Sequence, residues 1–209
     1  MYKQFFKRFF DIILSIFALV VLSPFMLACI VIIKREEKGS AFFKQKRIGI
    51  HKVPFKMYKL RSMKMDTPPD TPTHLLANPE KYILHCGKWM RKYSIDELPQ
   101  ILNIIKGDMS IVGPRPALWN QYDLIAERDK YGANDIKPGL TGWAQINGRD
   151  ELEIAEKARL DGEYVRRESF LFDAMCVFRT VFKAARHEGF VEGGGQERLK
   201  TKIREGLLL

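Results

Sequence analysis

The sequence predicts an α+β fold whose N-terminus is embedded in a membrane, and three observations lead there. No residue between 12 and 33 is charged, which is enough for a helix to span hydrocarbon. Two short β-prone runs, residues 42–46 and 53–60, flank a turn at Gly49 and read as a small hairpin. Beyond Pro79 the chain reads as a series of helices, separated by irregular and turn-rich stretches, as far as Ala185.

The apolar run does not read as a cleaved signal. It is too long, and no small-residue cleavage site precedes a polar mature start. Leu27-Ala28-Cys29 faintly matches a lipoprotein box, but Ile30-Val31-Ile32-Ile33 follows it. Pro24 sits at the centre of the run, where it removes a backbone donor and crowds the preceding turn. Ser23 can hydrogen-bond a carbonyl freed in this way. Lys3, Lys7 and Arg8 precede the run and Lys34, Arg35 and Lys38 follow it, so both ends prefer the cytoplasmic side. A kinked span and a helix that dips in and returns both fit these residues.

Residues 67–72 are loop, with Pro68, Pro69 and Pro72. Residues 79–93 predict a helix with a basic end in Lys88, Arg91 and Lys92, and the helix after it stops at Gly107. Gly113-Pro114-Arg115-Pro116 is irregular and rigid. Residues 119–130 form a polar helix, 137–142 are turn-rich and 151–167 form a charged helix. In the last helix, 170–185, the apolar arc is wide, and Arg179, Lys183 and Arg186 lie elsewhere. A core-facing helix and one lying in a membrane interface both suit it. Gly193-Gly194-Gly195 predicts a flexible break before a tail.

The 35 Lys and Arg against 25 Asp and Glu leave a net charge of +10. This balance suits an anionic partner (membrane surface, phosphate or nucleic acid) or a solvated basic surface. Cys29, Cys86 and Cys176 are too few and too scattered for a disulfide framework or a zinc site, and a reducing compartment fits them. The chain has no internal repeat, Walker loop, GxGxxG or RNA-binding aromatic signature.

Asp96 and Glu97 stand side by side where an apolar helix begins. Pro99 fits only a first helical turn, which places Asp96 near the N-cap and Glu97 at the first helical position. Ser94-x-x-Glu97 also matches a capping box that would start the helix earlier. Capping alone accounts for such residues. The same place attracts phosphate, because a helix start offers free N–H groups and partial positive charge. A carboxylate meeting a diphosphate at about 4 Å is repelled by roughly 4 kcal/mol per charge pair at an effective dielectric near 20. Attack on phosphorus therefore needs a cation and basic side chains. Lys59, Arg61 and Arg115 are candidates, Arg115 because the flanking prolines restrict it and a guanidinium suits bidentate phosphate contact.

Taken together, these segments resemble the monotopic phosphoglycosyl transferases, bacterial sugar transferases that act on polyprenyl phosphate, in the minimal single-domain form. The resemblance is carried by Lys7-Arg8-x-x-Asp11, Ser23-Pro24, Phe43-x-Gln45-x-Arg47-x-Gly49, Tyr58-Lys59-Leu60-Arg61-Ser62-Met63 and Ser94-Ile95-Asp96-Glu97-Leu98-Pro99-Gln100. It continues through residues 106–116 and through 137–149, KPGLTGWAQINGR. It implies a membrane helix re-entrant at Ser23-Pro24, a hairpin and a helical catalytic domain with interfacial amphipathic helices. The implied division is a membrane helix in 1–38, a cytosolic catalytic domain in 39–190 and a flexible tail in 191–209. The chain would sit in the bacterial inner membrane with both termini cytoplasmic.

The implied reaction is ping-pong. Asp96 attacks the β-phosphate of a UDP-sugar and expels UMP, and polyprenyl phosphate (undecaprenyl phosphate) then takes the phosphosugar, which initiates glycoconjugate assembly. Glu97 assists as base or in positioning. Magnesium is implied, with Asp96 as its ligand; Arg115 corresponds to a phosphate-binding arginine, and Lys59, Arg61, Gln145 and Arg149 to the substrate pocket. Membrane lipid and downstream glycosyltransferases are the implied partners, and nucleic acid is not. Lys137 departs from the family's usual arginine, and the loop between Met63 and Pro79 lacks its usual charged run. An inactive membrane scaffold is the alternative that the intact Asp96, Glu97 and Arg115 argue against. A membrane-anchored nucleic-acid binder is the other, and salt-dependent oligonucleotide binding would mark it.

Overall fold

The computed structural model describes residues 2–68, 76, 78–148 and 152–186. Arg149, most of the proline-rich loop and the tail 191–209 lie outside the described residues. After a π-helical turn at Tyr2–Phe6 comes helix α1, Lys7–Glu36, the one described helix long and apolar enough to cross a membrane. The helix runs through Ser23 and Pro24 without interruption, where the sequence suggested a break. Pro24 cannot donate to the Val20 carbonyl. The Ser23 hydroxyl donates to that same carbonyl at 2.9 Å, and this keeps the turn satisfied.

The two ends of α1 are held by the same folded body. Near the start, Arg8 donates to the carbonyls of Ile104 and Ile105, the latter at 2.8 Å, and Asp11 accepts the Ile111 N–H at 3.0 Å. Lys7 pairs with Asp173 and donates to the Tyr164 hydroxyl at 3.0 Å. Lys7 and Arg8 are thus engaged by protein, although the sequence offered them as topology signals. Near the other end, Cys29 and Ile33 join Ala41, Leu60, Leu84, Cys86 and Met90 in one buried cluster. Between the ends Phe17 and Val20 are each 67% exposed.

The hairpin forms as expected: β1, Phe42–Ile48, pairs antiparallel with β2, Pro54–Leu60, so that Lys59 faces Phe43 across the strands. The single helix predicted over residues 79–93 is instead a short 3-10 turn, Pro79–Lys81, followed by α2, His85–Lys92. The start of α2 is capped by the Glu36 carboxylate, which accepts the N–H groups of His85 and Cys86. A cap supplied from another helix has no local signature.

Helix α3, Gln100–Lys106, leads to β3, Ser110–Val112. After α4, Tyr122–Asp129, the segment read as turn-rich contains a strand, β4, Gly139–Thr141, parallel to β3. A Cβ on Gly139 would lie 2.1 Å from the Gly113 nitrogen, and one on Gly142 2.1 Å from the Gly113 oxygen, so close backbone approach requires glycine at both. Helix α5, Trp143–Ile146, follows, then α6, Ile154–Arg167, and α7, Phe170–Arg186. Helix α7 divides its apolar residues. Phe172 and Cys176 join Val112, Ile146 and Tyr164 in the core, while Phe170, Leu171, Phe178 and Val181 point outward, Phe178 with 71% exposure.

Candidate active site

The carboxylate pair does not cap a helix. Ser94 takes a left-handed conformation, φ 55°, which ends the α2 path and starts a 3-10 turn at Ile95–Glu97. The helical N-cap is Pro99, and α3 begins only at Gln100. Asp96 and Glu97 therefore stand before the helix, Ser94 makes no capping hydrogen bond, and the capping box is not formed. The turn is braced between α2 and β2. Both carboxylates are buried there, Asp96 with 6% exposure and Glu97 with 8%.

Burial of carboxylates at this density requires cations, and the neighbours supply them. Lys59 Nζ lies 2.9 Å from Glu97 Oε1. Arg115 lies on the same carboxylate, Nη2 at 2.7 Å from Oε1 and Nη1 at 3.4 Å from Oε2. Burial pushes the Asp96 carboxyl above the usual range. Lys59 pulls it down, the Glu97 charge pushes it up, and Arg91 and Arg115 pull it down, with a net rise. Arg91 is the cation that sequence reasoning passed over as part of a basic helix end. The signal lay in its spacing, on a helix that stops just before Asp96.

The other predicted residues are placed differently. Arg61 is buried and belongs to the end of α1, where it donates to the carbonyls of Glu37 at 2.8 Å and Lys38 at 3.1 Å. Those carbonyls engage its guanidinium, so it does not join Lys59 at the turn. Lys137 lies at the far end of α3, where a Cβ on Gly107 would come within 3.7 Å of its Nζ and 3.3 Å of Arg8 Nη2. Burial and the Arg8 charge lower its pKa. Gln145 donates to the Leu140 carbonyl at 3.0 Å beside the Gly113–Gly142 contact from which the Arg115 loop departs, and its buried Oε1 has no partner among the described residues. A groove of about 720 Å³ lined by Lys44, Lys46, Lys56 and Trp119 includes none of the carboxylate-pair residues.

A sequence model of the bacterial sugar transferase family matches residues 2–187. The chain belongs to that family. Among its relatives, the uncharacterized sugar transferase EpsL of Bacillus subtilis (strain 168) is 42% identical over 183 residues, 88% of this chain and 89% of that one. The UDP-glucose:undecaprenyl-phosphate glucose-1-phosphate transferase of Escherichia coli (strain K12) is 40% identical over 185 residues, 85% of this chain but only 39% of that longer one. The undecaprenyl-phosphate galactose phosphotransferase of Salmonella typhimurium is 33% identical over 202 residues, 90% of this chain and 42% of its own. The last two names carry different sugars, so family membership does not select one.

Among the described residues no three His, Cys, Asp or Glu side chains gather to hold a metal. A magnesium ion shared with substrate would need only one or two protein carboxylates, with phosphate oxygens and water completing its shell.

Proposed function

We propose that the chain transfers a phosphosugar from a UDP-sugar to polyprenyl phosphate, undecaprenyl phosphate in the bacterial membrane, and so begins the assembly of a surface glycan. The observation that carries this reading is the burial of two adjacent carboxylates in a turn that Lys59, Arg91 and Arg115 surround. In the first displacement an Asp96 oxygen attacks the β-phosphorus. The bond from that phosphorus to the bridging oxygen breaks, and UMP leaves with the electron pair. In the second, an oxygen of the polyprenyl phosphate attacks the same phosphorus and Asp96 is regenerated. One phosphoanhydride replaces another, and the acyl phosphate divides the exchange into two displacements.

Arg115 and Lys59 stabilise charge gathering on the transferred phosphoryl group. Glu97 holds both cations in place until substrate arrives. Magnesium, liganded by Asp96 and the diphosphate, would lower the repulsion between carboxylate and phosphate. The exposed middle of α1 and the outward face of α7 provide apolar surface for the membrane. Both ends of α1 are bound to one body, and entry and exit on a single membrane face then require the helix to bend at Pro24 while keeping its turns, since a straight helix cannot return. An impermeant thiol reagent should then fail to label a cysteine placed at either terminus of intact cells.

The test of the reaction is a mass measurement. With a UDP-sugar panel and magnesium but no lipid acceptor, the chain should gain one phosphosugar at Asp96 and release an equal amount of UMP. Turnover with acceptor present but no adduct under rapid quench would exclude the covalent step.

A further inference from the structure

Strand β3 is the short element from which the Gly113-Pro114-Arg115 loop departs. Among the described residues it has a neighbour on one edge only. Ser110 and Val112 pair with Gly139 and Thr141 of β4, so the N–H of Ile111 between them points to the other edge, where no described strand lies. A buried backbone donor needs an acceptor. Asp11 of α1, itself 5% exposed, supplies it at 3.0 Å, standing where the carbonyl of a neighbouring strand would be. The carbonyl of the next residue, Val112, accepts the Tyr164 hydroxyl at 3.1 Å, and that hydroxyl is joined to Asp173 and Lys7. On the far side of α3, Arg8 holds the last carbonyls of the helix that begins after Asp96 and Glu97.

From this juxtaposition we infer that Asp11 is a positioning residue: it fixes β3 from the membrane helix and so sets where Arg115 meets Glu97. Arg115 lies four residues beyond Ile111, and its loop is seated on β4 by the Gly113 N–H bond to Thr141 at 2.8 Å. A shift of the strand at Ile111 moves that seat and the guanidinium with it. The role asks for an acceptor oxygen, not for charge. Asparagine keeps the oxygen, whereas leucine keeps the approximate shape and removes it.

The inference rests on the transfer reading above, so the experiment has two independent readouts on the full chain in lipid nanodiscs. The first is hydrogen exchange of the 110–115 segment. Asp11→Leu should lose protection at Ile111 and in the loop after it, and Asp11→Asn should keep it. The second is steady-state UMP release. Asp11→Leu should lose kcat on the order of tenfold to a hundredfold, the scale of a misplacement near 1 Å, with a smaller change in KM, and Asp11→Asn should remain within about threefold of the parent. Wild-type protection in Asp11→Leu overturns the inference, as does an equal kcat loss in Asp11→Asn, which would assign the effect to charge. Absence of UMP release in the parent chain would overturn the transfer reading, while exchange would still decide the role of Asp11. Should Asp11→Leu fail to fold, Asp11→Ala removes the same acceptor without added bulk, and unchanged protection at Ile111 there overturns the inference.

Discussion

Replacing Glu97 by glutamine removes the negative charge that two cations share. Lys59 and Arg115 lie 2.9 and 2.7 Å from the same oxygen, with side-chain exposures of 15% and 25% against 10% for Glu97. At such distances each pair is worth about 6 kcal/mol before desolvation at an effective dielectric of 20. Most of that gain is offset by the cost of taking the charges from water, and removing one partner of a fully buried pair costs about 3–5 kcal/mol. The residual exposure and the acceptor oxygen that glutamine keeps reduce this to about 1–3 kcal/mol. For a chain of this size the melting temperature should fall by about 2–12 °C. The same variant leaves Lys59 and Arg115 facing a neutral amide, ready for another anion. Inorganic phosphate at about 100 times its dissociation constant should then restore about 2.7 kcal/mol, and it should stabilise Glu97→Gln more than the parent. Thermal unfolding in nanodiscs, with and without phosphate, reads both effects. A variant that melts with the parent and gains no more from phosphate would refute the view that Glu97 holds these cations in place.

Asp96→Asn should fold and yet form no adduct. Because burial holds the Asp96 carboxyl above its ordinary value, its charge costs stability above the folded-state pKa, and the cost vanishes as pH falls toward about 4. The asparagine variant should thus be at least as stable as the parent at pH 7, the difference closing in acid; a less stable variant at pH 7 would contradict the burial argument. Arg115→Lys should lose most turnover, since a compact ammonium cannot reproduce the planar fork seen on Glu97, and near-normal kcat would reduce Arg115 to a general charge. Arg61→Met should lower the melting temperature while leaving kcat of the folded fraction close to the parent's. A selective rise in KM for the UDP-sugar would return Arg61 to the substrate pocket.

The elements with local causes were legible in the sequence: the apolar helix, the hairpin about Gly49 and the amphipathic last helix. What was missed depends on partners remote in the chain. Glu36 caps α2 across 49 residues, and no propensity carries that. The parallel pairing of β3 with β4 hides in three-residue strands, β4 opening on a Gly139 that reads as turn. Arg61 and Lys59 are two residues apart in one motif. The strand ends between them, so Lys59 reaches Glu97 and Arg61 reaches the carbonyls that close α1. Ser94 turns left-handed just ahead of the pair, and this is why local helix rules placed the helix start too early.

The seating of Cys29 and Ile33 beside Leu60, Leu84 and Met90 bears on how the protein is made. The hydrophobic helix leaves the ribosome before Leu60, Leu84 and Met90, which enclose its Cys29–Ile33 end. Until then those faces have no protein partner, and lipid or a chaperone must shield them. Completion of the interior therefore waits on residues made after the helix. Trimming the first 38 residues to obtain a soluble enzyme would remove a wall of the core together with the anchor.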